Sequence, residues 1–162
     1  YAQYIKGDLD FAKNIVIDNR NSIAFHIGGG IAIPYGNARM IPFEKRYFSG
    51  GANSVRGWSV RSLGPGTFSD EKGNFMNQSG DIKLDASIEY RTRLFWKFRG
   101  ALFVDAGNIW TIREYQDQPG GKFKFDQFYK QIAVAYGVGL RLDHTSEEFA
   151  TEHAGEVMRQ AV

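Results

Sequence analysis

The sequence has no cysteine, which removes disulfides and thiolate metal sites and leaves the redox compartment unread. It has almost no surplus of charge: 20 basic against 18 acidic residues give +2, and nothing points to nucleic acid. No apolar run approaches the roughly 18–20 residues of a membrane-crossing helix. The three histidines, His26, His144 and His153, are scattered without ligand spacing, so neither a metal nor a cofactor is expected. Gly28-Gly29-Gly30 lies inside a strand pattern and precedes no helix, so a bend or close packing is expected there rather than a phosphate loop. A mean hydropathy of −0.38 leaves the membrane open, because barrel strands alternate and average out as polar. The 162 residues suffice for one domain. They open at Tyr1 with neither a start methionine nor a signal peptide, so a fragment or a processed piece is expected.

What is abundant is aromatic residues, at 15%, and glycine, at nineteen. Period-two alternation of apolar and polar residues predicts five strands, over about 1–17, 23–35, 80–93, 101–112 and 127–143. The third separates Ile82, Leu84, Ala86, Ile88 and Tyr90 from Lys83, Asp85, Ser87, Glu89, Arg91 and Arg93. The fourth separates Leu102, Val104, Ala106 and Trp110 from Phe103, Asp105 and Gly107. The fifth sets Ile132, Val134, Tyr136, Val138 and Leu140 against Gln131, Ala133, Ala135, Gly137, Gly139 and Arg141.

One such strand would suit a soluble β-sandwich equally well. The connections decide: they run short, long (36–79), short, long, the arrangement of an outer-membrane barrel. The predicted strands are also longer than the soluble mode of about 5–6 residues, whereas a tilted span needs about 9–11. The aromatic and basic 94–100 (LFWKFRG) suits an interfacial girdle. The fold class is therefore all-β, an antiparallel meander forming part of a transmembrane β-barrel. Five strands cannot close where the smallest bacterial barrels use about eight, so a larger barrel is expected.

Residues 47–66, YFSGGANSVRGWSVRSLGPG, are too long and glycine-rich for a tight turn. At their centre stands Arg56, in Val55-Arg56-Gly57-Trp58. Alone it would pass for a solvated loop arginine. Glu89 and Asp105, however, face the lumen from neighbouring strands, and a planar guanidinium fork can hold two carboxylates at once. Gly57 beside it lets the loop backbone approach the wall. Lys83, Asp85, Arg91 and Arg93 read as general lumen lining. The carboxylates could suggest glycoside hydrolysis, but no sugar cleft is indicated.

These segments resemble the BamA/TamA family of outer-membrane assembly proteins. GGANSVRGW is similar to the family's loop motif, Val/Ile-Arg-Gly-Phe/Tyr, with Trp58 as a mild departure. Phe103-Val104-Asp105-Ala106-Gly107 resembles its Phe-x-Asp-x-Gly strand motif, and Ser87-Ile88-Glu89-Tyr90 the strand with its inward glutamate. Leu63-Gly64-Pro65 also fits, and the wording around 33–58 looks most like Bacteroidetes-type members. The resemblance spans about 1–143. It implies periplasmic POTRA repeats ahead of a barrel of roughly 16 strands. It further implies a non-enzymatic role in the bacterial outer membrane: folding and inserting unfolded β-barrel clients, with accessory assembly proteins and the lipid bilayer as partners. A two-partner-secretion or lipase-linked translocator of the same family, or a soluble β-sandwich binding module, is the alternative. The tail 144–162 departs from the family. Thr145 and Glu148 make a capping-box pattern and Ala150, Ala154, Val157, Met158 and Ala161 share a helical face, so a short helix or a foreign end is expected, the latter favoured.

Overall fold

The computed structural model describes residues 3–70, 76–95 and 98–142. Five strands, β1 (Tyr4–Val16), β2 (Asn21–Pro34), β3 (Ile82–Arg93), β4 (Phe98–Trp110) and β5 (Ala133–Leu142), pair in chain order as one antiparallel meander. The expected fold class therefore holds, with the sheet left open at the outer edges of β1 and β5. The helical reading of the tail lies outside the described residues.

The register explains why alternation was the dominant signal. Phe25, Ile88 and Val104 stand in line across β2, β3 and β4, with Tyr136 next on β5. Side chains of this row project to one side of the sheet; Phe25 is partly covered, and the other three stay about half or more exposed, from Val104 at 49% to Tyr136 at 84%. Together with Leu9, Phe11, Ile27, Leu102 and Val138 they form a continuous uncovered apolar face. A soluble protein would bury such a face; in a barrel wall it meets lipid. Val104 lies midway along β4, so Val104→Arg in the full-length barrel is expected to cost about 2–4 kcal/mol in bilayer unfolding titrations. Unchanged stability would remove the lipid assignment of this face.

The short connections sit at one end. Asp18 closes the first by accepting hydrogen bonds from the backbone N–H of Arg20 at 2.7 Å and Asn21 at 2.8 Å. The Asn21 side-chain amide, foremost, and these backbone donors hold its carboxyl below the usual range. β4 and β5 differ from the sequence expectation in where they begin, the first at this end and the second at the other. β4 begins at Phe98, because Leu94 N–H bonds Phe98 C=O at 3.0 Å in a tight turn. β5 begins only at Ala133. The residues before it form a 3-10 turn, Phe128–Lys130, whose Phe128 packs edge-on against Trp110. Alternation cannot register such a turn, since its aromatics mimic strand positions.

Where β5 peels away, the loop takes over the exposed edge of β4. Gly66 N–H donates to Ile109 C=O at 2.7 Å, and the Asn108 amide donates to Gly66 C=O at 2.9 Å. Leu63-Gly64-Pro65-Gly66 thereby serves as a substitute strand partner, with a cis Gly64–Pro65 bond and positive φ at Gly64 and Gly66.

Candidate functional site

The long connection, residues 35–81, does not stream away from the sheet. A bridge from Tyr47 to Gly80 narrows its base, and one from Ser49 to Leu63 narrows it again. Just beyond the second bridge, Gly50 (φ 99°) and Gly51 (φ 91°) take left-handed conformations that side chains rarely adopt. The tip thus folds against the polar, inner face of the sheet. Val55 is fully buried there, in a cluster with Leu63 and Ala135 that Trp58 and Ala133 partly cover.

Arg56 points at β3 and β4. Its Nε and Nη2 donate to Oδ2 and Oδ1 of Asp105, both at 2.7 Å, a two-pronged pair. Its backbone N–H adds a third bond to Asp105 at 3.1 Å. Nη1 reaches Glu89 Oε2 at 2.5 Å. One guanidinium therefore joins two strands, for Asp105 stands opposite Ser87 and Glu89 opposite Phe103. Asp105 is completely buried and Glu89 nearly so.

The neighbouring motif residues make room for this contact. The guanidinium carbon lies 3.6 Å from the centroid of the Phe103 ring, within cation–π range. That ring in turn lies over Gly137, where a Cβ would come within 2.7 Å of it. Gly57 has the same part in the loop, since a Cβ there would stand 2.8 Å from the Ala135 methyl. Gly107 lets β3 and β4 backbones approach, with Leu84 C=O 2.7 Å from where its Cβ would be. Phe103 is the platform, Asp105 the anion, and the glycines supply clearance.

Several participants were not visible in the sequence. Glu89 Oε1 accepts Arg91 Nε at 2.7 Å and pairs with Arg141 Nη2 at 3.0 Å, so three arginines converge on one carboxylate. The reading of Arg91 as general lining is corrected: its register beside Glu89 commits it to this cluster. At the loop base Arg46 and Asp81 are a buried pair at 3.2 Å. Tyr47 reaches across to β1 and donates to Asp8 Oδ1 at 2.6 Å. Burial first, and Asp8 second, push this phenol above its ordinary range, so it stays a donor. Gly30 provides its bed, a Cβ there lying 2.5 Å from the ring. His26 sits between Asp10 (2.8 Å) and Asp85 (3.6 Å), and Lys83 pairs with Asp85 at 3.0 Å. Among the described residues no group of three or more His, Cys, Asp or Glu could hold a metal.

These observations define a class: a transmembrane barrel wall, greasy outside and polar within, whose own long loop is pinned to the inner face by an arginine. The chain belongs to the Omp85 superfamily, whose domain matches residues 2–146. It is 36% identical over 102 residues to the outer membrane protein assembly factor BamA of Neisseria meningitidis, covering 56% of this chain and 12% of that protein. It is 29% identical over 144 residues to the sorting and assembly machinery component 50 homolog of Homo sapiens, covering 86% of this chain and 29% of that protein. The crystal structure of BamA from Haemophilus ducreyi lacking POTRA domains 1–3 shares the fold, with a TM-score of 0.67 at 22% identity. That match covers 86% of this chain and 29% of the other. The chain thus spans less than a third of these relatives.

Proposed function

We propose that this chain is part of the barrel of a bacterial outer-membrane factor that folds and inserts other β-barrel proteins. The observation that carries the reading is the Arg56 tip seated on Asp105 and Glu89 within a lipid-facing wall. The site's charged groups are spent on one another, a guanidinium on two carboxylates, and its work is mechanical. It fixes the curvature of β3 and β4 from inside, so that the barrel keeps one working shape while its seam and the surrounding lipid are disturbed. Insertion is then favoured by offering strand edges to an unfolded client, a non-enzymatic effect. The named relatives support assembly over two-partner secretion or a lipase-linked translocator, since both are called assembly components. The higher identity to the Neisseria protein supports the bacterial outer membrane over the mitochondrial one. Unfolded barrel proteins, lipid and accessory assembly proteins are the partners.

Depletion of the full-length protein is the test. Folded, heat-modifiable barrel proteins are expected to fall together in the outer membrane, with unfolded clients accumulating behind it. Loss of one secreted passenger with normal barrel levels would overturn the assembly role and favour a transporter.

A further inference from the structure

The loop between β4 and β5 carries a second organised surface, on the opposite side of the sheet from Arg56. Trp110 ends β4 on the outward register, in line with Val104 and Ala106. Its ring packs edge-on with Phe123 (centroids 5.5 Å) and Phe128 (6.3 Å), and its Nε1 donates to Gln131 Oε1 at 2.7 Å. Phe125 joins Phe123 at 5.3 Å and Tyr129 joins Phe128 at 6.1 Å. Trp110 is buried beneath these rings, while Phe125 is 85% exposed and Tyr129 also faces outward.

A cluster of rings stacked off the end of a strand, with Phe125 and Tyr129 left uncovered at its surface, is costly in water. They continue the lipid-facing band of β4, which names what covers them. Lys122, Lys124 and Lys130 are interleaved with the rings, all exposed, and among the described residues they make no ion pair. Lys130 lies 5.8 Å from the Tyr129 ring. Aromatic bodies suit the boundary between acyl chains and headgroups, and lysines suit anionic groups just above it. Asp126 is the acid within this stretch, against three lysines.

We propose that residues 122–130 form an interfacial anchor that binds anionic lipid headgroups on the long-loop side of the membrane. Phe125, Phe128 and Tyr129 seat in the headgroup–acyl boundary, and Lys122, Lys124 and Lys130 engage lipid phosphates. The anchor holds the β4 end, and with it Asp105 some residues below, at a fixed depth.

The test uses the full-length protein, free of other cysteines, with Asp126→Cys carrying a fluorophore. It is reconstituted in phosphatidylcholine vesicles doped with nitroxide-labelled phosphatidylglycerol or, separately, nitroxide-labelled phosphatidylcholine. Both lipids are expected to quench, with phosphatidylglycerol stronger by about twofold or more at low salt. The triple variant Lys122→Gln, Lys124→Gln, Lys130→Gln, which alters exposed side chains alone, should equalise the two. Quenching by neither lipid would overturn the anchor. Equal quenching in the unsubstituted loop, or a phosphatidylglycerol preference that survives the triple variant, would overturn the headgroup site.

Discussion

Replacing Arg56 by Ala in the full-length protein is expected to unseat the loop tip while the barrel still inserts. The substitution leaves two inward carboxylates without their shared cation, and removing one partner of a buried pair costs about 3–5 kcal/mol. The two acids are not equally exposed to that loss. Glu89 keeps Arg91 and Arg141. Asp105 takes all three of its bonds in the cluster from Arg56, one of them from the backbone N–H. Asp105→Asn should therefore release the tip more than Glu89→Gln. Arg56→Lys should behave like a weakened alanine variant, since an ammonium cannot make the two-pronged contact or lie flat on Phe103. Limited trypsin digestion gives the readout, because a released tip exposes Arg61 for cleavage. The rate should rise about a hundredfold to a few thousandfold for Arg56→Ala, taking about 1.4 kcal/mol per tenfold. Outer-membrane barrel levels should fall in the same order of variants. Wild-type digestion and wild-type barrel levels in Arg56→Ala would remove the role given to this contact.

How much of this could be read beforehand follows from the range of each signal. Strand identity depends on near neighbours, since period-two alternation is local, and Ile82 to Tyr90 announce β3 without any knowledge of β2. Arg56 was legible because a glycine-rich loop isolates it and because two acids recur at inward positions. The third and fourth contributors to the cluster were not. Arg91 and Arg141 share the inward parity of Glu89, but which cations meet it depends on the stagger of three strands. Arg141 stands opposite Arg99, two residues along the ladder from the Ala101–Gly139 pair. That register is set by loop lengths and by the late start of β5, and neither is encoded in any window of ten residues. The loop-base pair was harder still. Arg46 and Asp81 are far apart in sequence, and each looks like an ordinary polar residue beside a strand end. A usable clue existed in Ser79-Gly80-Asp81, where a lone acid ends the uncharged stretch 73–80 just before an alternating strand.

That base contact is expected to matter for stability as much as the tip matters for function. Arg46 and Asp81 are both almost inaccessible to water. Around them a polar knot closes two loops at once. Arg46 Nη2 donates to Gln118 Oε1 at 3.3 Å, and Asp81 Oδ2 accepts Ile112 N–H at 3.1 Å. The Gln118 amide bonds Ser79 C=O at 3.0 Å and also Asn77 C=O. Arg46→Met would leave Asp81 charged and buried with one backbone donor, a loss of about 3–5 kcal/mol. Neutralising the acid as well should restore much of it. Asp81→Asn keeps an oxygen for Ile112 N–H, so Arg46→Met/Asp81→Asn should be more stable than Arg46→Met alone. Asp81→Leu in the same background should recover less, because it strands that amide at a cost of about 1–3 kcal/mol. Thermal unfolding of the full-length barrel and protease accessibility of residues 35–81 measure the order. If Arg46→Met is as resistant as the parent protein, the knot does not hold the loop base. The two sites also separate cleanly, since base variants should open the whole loop whereas Arg56 variants free its tip beyond intact bridges at Tyr47–Gly80 and Ser49–Leu63.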